Sequence, residues 1–191
     1  MSQSQQYFSI KHDFQVTYQL MPQPSALPTQ AEFAALIPPA FKLASQINQI
    51  EAQALRPLRT LNESAHELAE FLNLQSKKID LMMNYVLSLG DQQLQHPGTQ
   101  FGGSNITFIS DGALAQGDLV QLKVFISENN CAVFCIAKVI GTEEHSQGQI
   151  TQTEIVMIDD EDQEQLVRTS LHVQSCQLKA RAEQRNTTPP N

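Results

Sequence analysis

The three cysteines and five histidines are the side chains with the widest chemical range in this sequence. Cys131 and Cys135 lie four residues apart, and His145 follows ten residues later. Thiolates and imidazoles are the usual ligands of zinc, but a structural zinc site needs four of them at characteristic spacings. Both cysteines also belong to the apolar run CAVFCIAKVI, which favours burial in a strand. We therefore expect no metal site here.

No arrangement of residues typical of an enzyme is present. The phosphate-binding Walker loop, the dinucleotide GxGxxG pattern and the HExxH zinc pattern are all absent from the sequence. Gly102 and Gly103 form a glycine pair, but a strand is predicted to follow them, whereas a phosphate-binding loop leads into a helix. We therefore predict a non-enzymatic protein that uses no cofactor.

Composition and charge exclude further classes of function. The 191 residues are 41% hydrophobic and 17% charged, which is typical of a soluble globular protein. The net charge of −8 argues against binding to nucleic acid, whose phosphates attract basic surfaces. No apolar run approaches the roughly 20 residues that span a bilayer, and no secretion signal is recognisable at Met1–Phe8. With an odd number of cysteines, these features predict a cytoplasmic protein without nucleic-acid binding or membrane insertion.

The strongest periodic pattern is a heptad repeat that follows Pro57. Nine of its ten a and d residues are apolar, and the exception is Gln75. Five such heptads predict a long coiled-coil helix and a homo-oligomer that assembles through it. A helical hairpin within one chain is the alternative. The expected interface residues are Leu58, Leu61, Ala65, Leu68, Leu72, Gln75, Ile79, Met82, Val86 and Leu89.

Strand-like segments flank this helical block on both sides. Alternating or continuous apolar runs predict strands at 14–20, 104–110, 119–127, 132–140 and 150–158. Prolines 38 and 39 place the start of a helix, and the acidic segment 159–164 opens a C-terminal helix. We predict an antiparallel β domain with a C-terminal helix at 1–29 and 97–185, a helical insertion at 30–96, and a disordered tail at 186–191.

Four segments in this order resemble a PilZ domain: QQYFSIKHDFQVTYQL, GGSNITFIS, DGALAQGDLVQLKVFI and ITQTEIVMIDDEDQEQLVRTSL. The resemblance covers roughly residues 5–20 and 98–172. It implies a mainly β fold: a six-stranded antiparallel PilZ-like barrel with a C-terminal helix, to which the long coiled-coil helix is an addition. Many members of this family bind cyclic di-GMP.

The family's nucleotide motifs are an Arg-x-x-x-Arg segment just before strand one and an Asp/Asn-x-Ser-x-x-Gly segment at the start of the next barrel strand. All five matching positions carry other residues here: Gln5, Ser9, Gln100, Gly102 and Asn105. Arginine is suited to phosphate because of its charge and its planar fork of donors. We therefore expect no binding of cyclic di-GMP, and a receptor that uses non-standard residues is the alternative.

PilZ-like proteins without these motifs include a subgroup that carries a heptad-bearing helical insertion and forms tetramers. The resemblance to that subgroup implies a tetramer. It also implies a signalling or adaptor role through contacts with an unidentified protein, in a cyclic di-GMP or motility-related pathway.

Overall fold

A computed structural model describes residues 9–22, 26–55, 68, 70–72, 74–79, 82, 95–112, 114–127 and 131–187. The chain divides into two compact units. One, the barrel unit, comprises Met1–Ser25 and His96–Asn191; the other, the helical unit, is Ala26–Gln95. The helical unit is thus inserted between the first strand of the barrel and the rest of it.

The barrel unit contains six strands that close on themselves in the order β1-β2-β3-β6-β5-β4. Every neighbouring pair is antiparallel. This confirms the predicted fold class, a six-stranded antiparallel barrel with helical parts. The strands are β1 (Ser9–Leu20), β2 (His96–Gly102), β3 (Asn105–Ser110), β4 (Leu119–Ile126), β5 (Cys131–His145) and β6 (Gly148–Ile158).

The barrel core follows from the alternation of apolar residues along the strands. In β4, every second residue from Val120 to Ile126 is buried, as expected for a strand with one face turned to the core. In β5, all residues from Cys131 to Ala137 are buried, which explains the nearly continuous apolar sequence of this strand. Burial of these side chains is the main source of barrel stability.

Strand β2 was not among the strands predicted from local pattern. Its sequence, HPGTQFG, contains a proline and two glycines, which are depleted in strands. It is nevertheless paired on both sides, with β1 and with β3. Its position is therefore determined by its neighbours rather than by its own propensity.

The C-terminal helix extends over Asp160–Thr187 and contributes Leu166 and Val173 to the barrel core. Its first turn is acidic, as predicted, which suits the positive end of the helix dipole. The predicted tail began at Asn186, but Asn186 and Thr187 are helical because the last turns of the helix continue through them. Residues 188–191 lie outside the described residues.

The helical unit begins with α1 (Gln30–Leu36) and α2 (Pro39–Leu55). Thr29 caps α1: its hydroxyl accepts a hydrogen bond from the Glu32 N–H, and the Glu32 carboxylate accepts one from the Thr29 N–H. Pro39 is the first residue of α2, a position that needs no backbone donor, so the predicted effect of the two prolines is observed. Residues 68, 70–72, 74–79 and 82, within the heptad repeat, are helical.

No helix in the described part of the chain is both long and apolar enough to cross a membrane.

Candidate functional site

The structure brings together four of the five positions that match the family's nucleotide motifs. Ser9 opens β1 and faces Gly102 at the end of β2. Gln100 lies in β2, and Asn105 opens β3 three residues after Gly102. These residues form one cluster at one end of three adjacent strands, which we call the motif cluster: Ser9, Gln100, Gly102 and Asn105. Gln5 lies outside the described residues.

Within the motif cluster, the polar side chains partly satisfy one another. The Gln100 side-chain amide donates a hydrogen bond to the Ser9 hydroxyl. Both groups are neutral, so the contact lacks the charge that strengthens a hydrogen bond to phosphate. This hydrogen bond joins β1 to β2 at positions where PilZ domains carry nucleotide-binding residues.

One cation does stand next to the motif cluster. Lys11 is the Cα partner of Gln100 and lies two residues after Ser9, on the same face of β1. Its side chain is exposed. Lysine offers a point charge, not the planar pair of donors that an arginine directs at a phosphate or a base. Sequence reasoning did not single out Lys11 as part of a site.

Asn105 differs from the other members of the cluster. Its side-chain oxygen is buried, and among the described residues it has no hydrogen-bond partner. An unpaired buried acceptor costs on the order of 1–3 kcal/mol, so it is a position where a donor would be stabilising. The motif cluster therefore retains one unsatisfied polar atom.

The C-terminal helix packs on the turn that joins β2 to β3. The Gln163 side chain donates a hydrogen bond of 3.1 Å to the Gly103 carbonyl. Val167 lies so close to Gly103 that a β-carbon there would overlap its methyl group. Further along, Gln177 donates a hydrogen bond of 2.8 Å to the Lys11 carbonyl. The glycine at 103 thus allows the helix to approach, and the sequence pattern had given no sign of this contact.

The predicted oligomer interface is described only in part. Leu58, Leu61, Ala65, Val86 and Leu89 lie outside the described residues. Of the remaining a and d residues, Leu68, Ile79 and Met82 are 55%, 46% and 63% exposed, Gln75 is exposed, and Leu72 is half-buried. These large apolar side chains are therefore left in solvent by a single copy of the chain.

The potential metal ligands are not brought together. Cys131 and Cys135 are buried in β5, and burial raises the pKa of each thiol to about 12. A thiol of this kind remains protonated at neutral pH, whereas a metal ligand must be a thiolate. His145 is exposed at the other end of β5, about 33 Å from Cys135 along an extended strand.

A second polar cluster surrounds Tyr18, and no pattern in the sequence pointed to it. The Tyr18 hydroxyl donates a 2.7 Å hydrogen bond to the Asp111 carboxylate and accepts one of 3.1 Å from the Gly112 N–H. His96 Nε2 lies 3.8 Å from the same carboxylate, and its ring centroid is 4.8 Å from that of Tyr18. These residues lie far apart in the sequence, which is why local pattern could not reveal them.

The carboxylate and the phenol of this cluster have shifted pKa values. Desolvation by burial, and then the hydrogen bond to Asp111, raise the pKa of Tyr18. The hydrogen bond from Tyr18 lowers the pKa of Asp111, and the nearby His96 lowers it further. The cluster thus stabilises a neutral phenol next to an ionised carboxylate. It joins β1 to the segment after β3.

Comparison with known proteins gives matches in structure alone. No family model and no curated protein matches this sequence. A pathogenic protein from Xanthomonas campestris, described as a new tetrameric PilZ domain self-assembled via an unusual helical bundle, is similar with a TM-score of 0.52. The match has 14% identity and covers 92% of each chain. The fold of the present chain is therefore PilZ-like.

The Bacillus subtilis inhibitor of motility (MotI/DgrA) is also similar, with a TM-score of 0.39 and 17% identity. The match covers 42% of this chain and 41% of that one, so this chain spans less than half the length of MotI/DgrA.

Proposed function

We propose that this chain is a non-enzymatic PilZ-like signalling or adaptor protein that acts through protein–protein contacts and self-assembly. Its pathway is one that involves cyclic di-GMP or motility, and the chain does not itself bind the nucleotide. The PilZ-like fold supports the class of protein, since the comparison with the Xanthomonas protein extends over nearly the whole of both chains.

The observation that carries the proposal is the hydrogen bond between Gln100 and Ser9 at the motif cluster. Two neutral side chains there bind each other, and Ser9 stands where the family has the second arginine. Hydrogen bonds to charged groups contribute roughly 1.5–3 kcal/mol each, so replacing the arginines weakens affinity by orders of magnitude. Val167 of the C-terminal helix also packs on Gly103, so this end of the barrel is occupied by contacts within the chain.

Self-assembly is supported by the exposed apolar residues of the heptad repeat. Burying a leucine, isoleucine or methionine side chain contributes about 1.5–3 kcal/mol, so Leu68, Ile79 and Met82 favour association of copies. The number of copies that we propose is four, as in the Xanthomonas protein, whose tetramer is described as a helical bundle. An unidentified protein, not a nucleic acid or a membrane, is the external partner.

We place the protein in the cytoplasm. The described cysteines are all free: Cys131 and Cys135 are buried in the barrel and Cys176 is exposed on the C-terminal helix. Free thiols are the usual state of cysteine in a reducing compartment. The net charge of −8 also disfavours binding to nucleic acid or to anionic lipid.

The alternative is a genuine cyclic di-GMP receptor that uses non-standard residues. Two observations favour it: the unpaired side-chain oxygen of Asn105 and the exposed Lys11 beside the cluster. In that arrangement, Asn105 would accept a hydrogen bond from a guanine base, and Lys11 would neutralise a phosphate.

Calorimetric titration of the full chain with cyclic di-GMP separates the two proposals, after its mass in solution has been measured by light scattering. We expect no saturable heat at tens of micromolar nucleotide, a scale set by the loss of several charged contacts. A saturable isotherm in the low micromolar range would overturn the proposal. If Lys11→Ala and Asn105→Ala then abolish that heat while the matched control Lys138→Ala preserves it, the receptor alternative is correct.

A further inference from the structure

Exposed apolar side chains in the barrel unit are concentrated on one element. Within its described part, five large hydrophobic residues are exposed, and three of them lie on the C-terminal helix. These are Val167, Leu171 and Leu178, which are 40%, 54% and 57% exposed. Single exposed apolar residues need no explanation, but three on one helix indicate an organised surface.

The three residues form a single stripe along the helix. With Gln174 they follow a spacing of 4, 3 and 4 residues, which keeps them on one side of an α-helix. We call these four residues the outer stripe. The side of the helix that packs on the barrel carries Leu166, Ser170 and Val173, about a third of a turn away. The outer stripe is thus a second apolar face, which the barrel covers in part only at Val167, beside Gly103.

The charges of the helix differ between its two ends. Asp160, Glu161, Asp162 and Glu164 occupy the beginning, where Arg168 pairs with Glu164, while Lys179 and Arg181 stand towards the other end, together with Glu183. A second copy of the helix in antiparallel orientation would place the acidic end of each beside the basic end of the other. A parallel copy would place like charges together, which is destabilising.

We propose that the outer stripe is an interface with the same helix of a second copy of this chain, in antiparallel orientation. A two-fold axis beside Gln174, midway between the two leucines, lets Leu171 of one copy pack against Leu178 of the other. The two Gln174 amides then meet and can donate to and accept from each other. This interface is separate from the heptad repeat and does not depend on it.

Cysteine cross-linking of the full chain tests this pairing. Two variants, Leu171→Cys and Leu178→Cys, are made with Cys176→Ser and oxidised with oxidised glutathione, separately and as a mixture. Cys131 and Cys135 are buried, so they do not take part. We expect a disulfide-linked dimer in the mixture, several-fold more abundant than with either variant alone, because position 171 faces 178 of the other copy.

The unsubstituted chain is the matched control, since Cys176 is exposed about half a turn away from the outer stripe and should not cross-link. Strong cross-linking of each variant by itself would indicate parallel helices and overturn the proposal. So would the absence of cross-linking in every sample, since the stripe would then be covered by something other than a second copy. Equal cross-linking through Cys176 would show unspecific contact and would count against it as well.

Discussion

The ring of Phe14 in β1 lies against the backbone of Gly98, its cross-strand partner in β2. A β-carbon on residue 98 would overlap three carbons of the ring. The ring also packs edge-on against Phe101, with centroids 5.5 Å apart, and belongs to the barrel core. Position 98 must therefore be glycine because of Phe14, a residue 84 positions earlier in the chain. The register of β1 and β2 also shifts next to this pair.

Gly98→Ala is expected to lower the free energy of unfolding by about 1–3 kcal/mol, because the added methyl group overpacks the core against Phe14. Urea denaturation monitored by circular dichroism measures the change. Gly141→Ala is the matched control, since the nearest atom to a β-carbon there is 3.5 Å away in the Gln152 side chain, and its effect should stay within about 0.5 kcal/mol. Equal effects of the two variants would contradict the role assigned to Phe14.

Tyr18→Phe removes the hydrogen bond that lowers the pKa of Asp111. We expect a loss of about 1 kcal/mol at neutral pH, at the lower end of values for a charged acceptor because Asp111 is solvent-exposed. A carboxyl group with a lowered folded-state pKa stabilises the fold above its unfolded pKa and ceases to do so as pH falls through the folded one. The difference in free energy of unfolding between the native chain and Tyr18→Phe should therefore shrink as the pH is lowered.

Thermal unfolding of both proteins between pH 7 and pH 2 tests this dependence. Asp111→Ala should cost about as much as Tyr18→Phe at neutral pH, and the double variant should cost less than the sum of the two. If the difference in stability between the native protein and Tyr18→Phe stays constant down to pH 2, the acceptor of this hydrogen bond is not an ionised carboxylate.

If the heptad repeat forms the oligomer interface, charged substitutions in it should lower the mass of the protein in solution. Ile79→Asp and Leu68→Asp should each reduce the oligomer measured by light scattering, because a buried charge in a coiled-coil core is strongly destabilising. Lys77→Asp is the matched control: this residue is exposed at the outward f position, so its substitution should leave the mass unchanged. A native chain that is monomeric across micromolar concentrations would favour the helical hairpin within one chain instead.

The cysteines allow a chemical test of the barrel core. At pH 8, a thiol reagent should label one cysteine in the folded chain, the exposed Cys176, and all three after denaturation. Burial raises the pKa of Cys131 and Cys135 from 9.0 to about 12, so they are neither accessible nor ionised. The protonated thiols of both residues are compatible with the core below about pH 9. Their contribution to stability is lost as the pH rises towards 12, because the unfolded chain ionises its thiols first. Labelling of two or more thiols in the folded chain would show that β5 is not in the core.

The elements that the sequence predicted correctly are those with a strong local pattern. Strands β4, β5 and β6 carry apolar runs or alternation of the right length, and the acidic start of the C-terminal helix is visible from charge alone. Strand β2 could not be recognised in this way, because its glycine at 98 serves Phe14 in another strand. Only the family resemblance supplied the sixth strand.

The same distinction holds for the candidate site. The resemblance brought Ser9, Gln100, Gly102 and Asn105 to attention, and the structure places them together. The contacts of Gln163 and Val167 with Gly103 depend on how a helix 60 residues away crosses the barrel, and no local pattern encodes that. The Tyr18 cluster is likewise assembled from three distant segments of the chain.

The insertion of the helical unit between β1 and β2 has a consequence for folding. These strands are adjacent and antiparallel, with Val16 paired to His96, so their pairing closes a loop that contains all of Ala26–Gln95. Each doubling of loop length adds about 0.6 kcal/mol of closure entropy, so this loop costs roughly 2 kcal/mol more than a tight hairpin. Contacts between residues so distant in sequence also slow folding. Helix formation within Ala26–Gln95 shortens the effective loop, so the helical unit should speed closure of the barrel.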